Sequence, residues 1–167
     1  APNAGEHDAS ETLVHSLLSP HKRPPRELSR VQSSAQVSAN WRKELEEKYR
    51  RLARLTSDYV HYCTRTGDSA FQVEWVDGAV NAISGYHIKD IITLGCFLPL
   101  VHPDARKNVS DYLFGLVAGD RKEIEFRIVT QQKEIRWVFE KSQCEAGPSE
   151  GELVLLGAVT DITEQKK

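Results

Sequence analysis

Methionine is absent from the 167 residues, and cysteine occurs only three times. The lack of methionine, with alanine at position 1, is what an excised fragment or a processed product would show. Cys63, Cys96 and Cys144 lie at wide, unrelated spacings, with no CxxC pair and no Cys/His ligand pattern. That excludes recognisable zinc and c-type haem attachment motifs. It predicts buried, reduced thiols in a cytoplasmic protein. No apolar run reaches the roughly 18 residues of a membrane-crossing helix, so no direct membrane contact is expected, although a larger parent can still be membrane-anchored. The N-terminal APNAGEHDASETLV lacks the basic start and apolar centre of a signal peptide. Neither charge dominates: 22 Lys and Arg face 24 Asp and Glu, a net charge of −2, and no nucleic-acid surface is expected. No GxSxG, Walker, HExxH or paired-carboxylate motif occurs, so no catalytic residue and no metal ligand is assigned.

What remains is ordinary for a folded domain with extensions: 40% hydrophobic and 28% charged residues. Residues 1–40 are rich in Ser, Ala, Pro, His and charge, and read as a flexible or partly helical tail. Leu13, Val14, Leu17 and Leu18 suit a short amphipathic helix ending before Pro20. Residues 41–57 change character. Trp41, Leu45, Tyr49, Leu52 and Leu55 form one apolar stripe at steps of four, four, three and three. Glu44–Lys48, Glu46–Arg50 and Glu47–Arg51 are acid-before-base pairs on the solvated side. Ser38 or Asn40 is the expected cap. So narrow a seam either covers a sheet of its own domain or pairs with a second copy.

Residues 58–167 read as one domain. YVHYCTRT and FQVEWV are strand-like and flank a turn at Gly67-Asp68-Ser69. Short helices over Ala79–Ile83 and His87–Leu94 are closed by Gly85 and Gly95. Pro99 and Pro103 bracket an irregular link to a longer helix over Asp104–Ala118, stopped by Gly119. Three strands follow, over Glu123–Thr130, Ile135–Cys144 and Glu152–Thr163. Strands, then helices, then strands predict an α+β domain: a five-stranded antiparallel sheet with helices on one face, preceded by the amphipathic helix.

Four words in this order carry a family resemblance: FQVEWVDGAVNAISGY, FLPLVHPDAR, EIEFRIVTQQKEIRWVFEKS and LLGAVTDITEQKK. Over about residues 55–167 the chain resembles the PAS (Per-Arnt-Sim) sensory domains, in the bacterial type that ends in a DIT motif. Two places depart from the pattern. Gln132-Lys133 stands where the family has Asp-Gly, which predicts a wider or different hairpin turn. Val76-Asp77-Gly78-Ala79 replaces the common Asn-Pro or Asn-x-Ala.

The resemblance implies a small cavity between sheet and helices. Strand alternation and helix position then nominate Phe97, Leu113, Phe126, Ile128, Val138, Leu155 and Gly157 as its lining. Gly157 allows close approach of a backbone or a ligand. On the second strand of the final hairpin both faces are apolar, with Ile135, Trp137 and Phe139 opposing Arg136, Val138 and Glu140. The last strand is also double-sided, so both faces of the sheet are expected to be covered. Asp161 is expected to accept hydrogen bonds at the exit, and Thr163 to cap an outgoing helix.

The resemblance also implies a regulatory module without catalysis of its own. It would bind a small ligand, or a second copy as a homodimer, and control an effector beyond Lys167 such as a histidine kinase or diguanylate cyclase. A ligand-free interaction module is one alternative, and a haem or flavin receptor is another. For haem the candidate ligands are His102 and His87, but His102 is expected instead to hydrogen-bond the start of the long helix. For flavin the candidate is Cys96, in a Gly95-Cys96-Phe97-Leu98 stretch that lacks the Asn, Arg and Gln of light-oxygen-voltage domains. No cofactor is therefore assigned.

Overall fold

The computed structural model describes residues 34–53, 55 and 57–167. The short helix expected around Leu13–Leu18, and most of the tail, lie outside the described residues. The chain divides into two compact units, residues 1–48 and 49–167.

Helix α1 spans Ser34–Ala53 and runs across that boundary. It starts before the expected cap because SAQVSAN holds no proline or glycine to stop it. It also ends before residue 57. The Leu55 amide already bonds the Leu52 carbonyl at 3.2 Å, a tight closing turn. Leu55 therefore leaves the stripe and is 81% exposed, a correction to its place on the seam. Trp41 and Leu45 lie in the first unit, half-buried and buried respectively; Tyr49 and Leu52 lie in the second, both half-buried.

The second unit is built on five strands: β1 (Tyr59–Thr66), β2 (Gln72–Gly78), β3 (Arg121–Val129), β4 (Ile135–Ala146) and β5 (Glu152–Asp161). Their order across the sheet is β2-β1-β5-β4-β3, every neighbour antiparallel. Between β2 and β3 run α2 (Val80–Ser84), α3 (Ile88–Leu94), a 3-10 turn (Leu98–Leu100) and α4 (Pro103–Phe114). Val80, Ile83, Ile91, Leu100, Val109 and Leu116 from this segment share one core with Tyr59, Cys63, Phe126, Ile128, Val138 and Leu155 of the sheet. The helices thus cover one face, as expected. Gly85 and Gly95 close α2 and α3 in the left-handed conformation.

Helix α4 is shorter than its apolar spacing suggests. It stops at Phe114, and Leu116 drops fully into the core. Gly115 stands at the break, and a residue of β1 holds the end. The Arg65 guanidinium donates to the carbonyls of Leu113 (3.2 Å) and Leu116 (3.0 Å), a cation satisfying the free carbonyl end of the helix. No local pattern in Asp104–Ala118 encodes that contact.

On β4 the alternation resolves in favour of the more polar set. Val138, Glu140, Ser142 and Cys144 are buried, whereas Ile135 is exposed and Trp137 and Phe139 half-buried. On β5, Val154 and Leu156 are buried as fully as Leu155 and Val159, so the double-sided reading of that strand holds. On the outer face Trp75 stacks on Tyr62 at 5.8 Å. The last turn of α1, within the second unit, adds Tyr49 at 6.1 Å and the Arg50 guanidinium at 4.7 Å from the Trp75 ring.

The β3–β4 turn departs from the two-residue form, as Gln132-Lys133 implies. The Lys133 amide bonds the Thr130 carbonyl at 2.9 Å, the Thr130 amide bonds the Glu134 carbonyl at 2.8 Å, and Lys133 has φ 68°. This is a three-residue loop whose last residue is left-handed, a place that suits glycine. A side chain there costs ~1–2 kcal/mol, while glycine gives back about half of that in unfolded-state entropy. Lys133→Gly should therefore raise the unfolding free energy by roughly 0.5–1 kcal/mol, read from the midpoint of urea denaturation.

Candidate functional site

The interior holds a polar row that apolar patterning hides. His61 on β1 pairs across the sheet with Gly157 on β5, and Gly157 pairs in turn with Ser142 on β4. A Cβ at position 157 would overlap Nε2 and Cε1 of the His61 ring. The missing side chain lets the imidazole lie across β5 and reach β4, two strand spacings or roughly 9–10 Å from its own strand. There Nε2 lies 3.2 Å from Glu140 Oε1. The Ser142 hydroxyl donates to the same oxygen at 2.8 Å. On the other side of the ring, Nδ1 is 3.3 Å from Cys63 Sγ. His61, Glu140 and Ser142 are 3%, 7% and 4% exposed, so no bulk water shares in these contacts.

Two aromatic groups and a helix border the row. The Phe97 ring stands 4.8 Å from the His61 ring and 6.5 Å from Tyr59, and is itself half-buried. Tyr112 of α4 lies beside Ser142 without completing a hydrogen bond of ordinary geometry. Burial pushes its hydroxyl up to about 12, the Ser142 contact opposing and Glu140 reinforcing the shift.

The ionisation of the pair follows from its isolation. Burial by itself pulls the His61 pKa down, but the Glu140 carboxylate and the Cys63 contact outweigh it, and the net shift is upward. Burial likewise raises Glu140, and the His61 cation and the Ser142 donor reverse that and lower it. The interior thus holds an imidazolium–carboxylate pair at neutral pH.

All seven lining candidates come together on this inner side. Phe126, Ile128, Val138 and Leu155 are buried in the core, Phe97 and Leu113 pack against it, and Gly157 lies beneath His61. What presses on Gly157 is therefore a side chain of the same domain. The residues that patterning missed are His61, Glu140 and Ser142. Their signal was the alternation shared with Tyr59 and Cys63 on β1, and with Val138 and Cys144 on β4.

The exit forms a second cluster. Asp161 Oδ2 accepts from Arg136 at 3.0 Å, and Oδ1 accepts from the Thr163 amide at 2.9 Å and its hydroxyl at 2.5 Å. The Asp161 amide donates to Asp58 Oδ2 at 2.7 Å, ahead of β1. Burial raises the Asp161 pKa, but its Thr163 and Arg136 partners more than offset this and the net shift is downward. Asp161 thus accepts both backbone and basic side-chain bonds, as expected. Thr163 does not cap the outgoing turn Glu164–Lys166. Its hydroxyl is spent on Asp161 and on accepting the Trp137 amide at 3.1 Å. Lys166 then lies 5.0 Å over the Trp137 ring. An open cleft of about 610 Å³ borders this latch, lined among others by Ile83, Glu134, Arg136, Asp161, Thr163 and Lys167.

The cofactor candidates fall elsewhere. His102 accepts the Asp104 amide at Nδ1, 3.2 Å, and so caps α4 as expected. His87 is exposed. All three cysteines are free; Cys63 and Cys144 are buried, but Cys96 is only half-buried, a correction to the expectation for it. Among the described residues no group of His, Cys, Asp or Glu is arranged to hold a metal ion, and no helix is long and apolar enough to cross a membrane.

The buried pair makes stability depend on pH with a defined sign. His61, raised when folded, contributes fully below its ordinary value of 6.5 and loses that contribution as pH rises above it. Glu140, lowered when folded, contributes above its ordinary 4.5 and loses it as pH falls. Thermal stability should be highest between pH values of 4.5 and 6.5. From there to about pH 9 it should fall by at most ~1.4 kcal/mol per pH unit. Glu140→Gln should flatten that alkaline slope, measured by calorimetry across the range.

The geometry agrees with a family model and with solved structures. A family model described as the PAS fold matches residues 73–159, more than half of the chain. No curated protein matches it. Among solved structures, the N-terminal domain of a diguanylate cyclase with a PAS/PAC sensor from Marinobacter aquaeolei is similar over 65% of this chain and 99% of its own, with 14% identity and a TM-score of 0.54. A light-oxygen-voltage domain studied with a flavin analogue is similar over 70% and 85%, with 12% identity and a TM-score of 0.53. An RsLOV variant is similar over 70% and 67%, with 14% identity and a TM-score of 0.55. With the sheet order, the helical layer on one face and the family match over β2 to β5 all in agreement, the chain belongs to the PAS-fold family of sensory modules, which are not enzymes.

Proposed function

We propose that this PAS domain binds a small molecule at its inner polar row and passes the binding state to an effector beyond Lys167. A histidine kinase or a diguanylate cyclase, the class to which the Marinobacter aquaeolei domain belongs, would suit that position. One observation carries the reading. Glu140 pairs with Val159, and the next inward-facing pair along the same two strands is Val138 with Asp161. A shift of Glu140 that follows exchange of its partners is therefore one register step from the latch. Convergent polar groups inside an apolar shell are what a ligand site needs. A ligand-free interaction module would more naturally have an apolar interior. The domain division at residues 1–40, 41–57 and 58–167 belongs to the same proposal: a tail, a cover or dimer helix, and the sensor.

The latch is tested by placing the chain ahead of a histidine kinase core, in place of that kinase's own sensor, and measuring autophosphorylation. Arg136→Gln removes the guanidinium that holds Asp161 while leaving the strand backbone intact. It should change output by about five-fold or more, with cooperative melting retained. Output equal to the parent fusion would overturn the coupling.

Self-association through α1 is the second part. Leu45→Lys with Leu52→Lys places two charges on the apolar stripe, and light scattering should then give the monomer mass where the parent chain gives a dimer. An unchanged dimer mass would remove α1 from the interface.

A further inference from the structure

The buried charges of the inner face do not cancel. His61 and Arg65 of β1 are 3% and 8% exposed, and Glu140, 7% exposed, is committed to His61. Glu152, the other buried carboxylate, alternates to the opposite face of β5 from Leu153 and accepts the Ser149 amide at 3.1 Å. Asp120 is held by the Val117 amide at 3.0 Å and by Lys122 at 3.2 Å. Among the described residues Arg65 therefore has no carboxylate partner. Its neighbours are the Leu113 and Leu116 carbonyls and the Phe71 ring, 4.5 Å away. A helix end carries only about half an elementary charge, so a full buried cation is incompletely met there. The Arg65 Nε–H is also buried without an acceptor, and interiors rarely leave such a donor open unless a bound group completes it. Tyr112, next to Leu113 on α4, adds a second buried orphan in its hydroxyl.

We propose that Arg65 anchors a binding site for a small organic carboxylate. A carboxylate oxygen accepts from Nε–H and brings the full counter-charge that the two carbonyls do not supply. The Tyr112 hydroxyl is a further donor on the same inner side. Two cations against one carboxylate leave a single excess positive charge, which suits a monoanion better than a doubly charged phosphate. Phe71, against the guanidinium, and the half-buried Leu113 and Leu153 supply apolar walls for the body of the ligand. Position supplies access. Arg65 is the last buried residue of β1; Thr66 and the turn Gly67-Asp68-Ser69 after it are exposed, and so are Phe114 and Gly115 at the end of α4. The guanidinium thus lies beneath the rim of the domain and not at its centre. This deepens the small-molecule reading and rests on it. It names the charge of the ligand and places its charged end two inward positions along β1 from His61.

The test titrates the isotope-labelled full chain with benzoate, and with benzamide as its neutral isostere, and follows the arginine Nε–H resonances by NMR. Benzoate should bind at least about ten-fold more tightly than benzamide and should shift the Arg65 Nε–H resonance saturably. Arg65→Gln should weaken benzoate by about ten-fold and leave benzamide within about two-fold. Equal binding of the two probes would overturn the carboxylate assignment and leave the small-molecule reading standing. Saturable benzoate binding with the Arg65 resonance unmoved would remove the site from Arg65. Absence of saturable binding by either probe would overturn this inference together with the small-molecule reading. If Arg65→Gln does not fold, the preference for benzoate and the Arg65 shift in the parent chain decide alone.

Discussion

One imidazole lying across the central strand organises the interior of this domain. His61 belongs to β1 and Glu140 to β4, with β5 between them. They meet only because position 157 is a glycine, over which the ring rests. The energetic meaning of such a pair is limited. Two charges taken from water lose several kcal/mol each, and their attraction in a low-dielectric interior roughly restores it. Well-packed apolar side chains of the same volume would stabilise the sheet as well or better. Stability alone therefore gives no reason for three strands to contribute His61, Gly157, Glu140 and Ser142 to one row.

The same row lies close to the edge of the domain along β5 and β4. An imidazolium facing a carboxylate behind a dry wall cannot relax by hydration, so a change in the charge of either group has to be met by rearrangement of the side chains around it. The end of β5 next to it is held by polar bonds. Asp161 gathers Arg136 from β4 and Thr163 from the exit, while its amide reaches back to Asp58 before β1. Bonds of this kind are directional and individually worth only ~1–3 kcal/mol. They can be exchanged without disturbing the core, which a packed apolar joint cannot.

Much of the fold was legible because it rests on local rules. The turns at Gly67, Gly85 and Gly95, the proline start of α4 and the strand runs follow from backbone conformation and side-chain period, and the structure shows them close to where the residues place them. His102 was legible too, since a ring two residues before a free amide at a helix start has an obvious bond to make. The misses have a shared cause. The end of helix α4 at Gly115 is held by Arg65, distant in sequence, which donates to the Leu113 and Leu116 carbonyls. Thr163 fails to cap because Trp137 and Asp161 claim its hydroxyl first.

The amino-acid order by itself determined the class of the domain, its strand and helix succession and the exit word Asp161-Ile162-Thr163, since each depends on neighbours within a few residues. Only the tertiary structure decided which face of β4 turns inward and which histidine matters. Ile135, Trp137 and Phe139 are the more apolar set, yet register with β5 brings Val138, Glu140 and Ser142 inside. Strand pairing moves every side chain of β4 together, so one choice of register made across the whole sheet outweighed the preference of three aromatic and aliphatic residues.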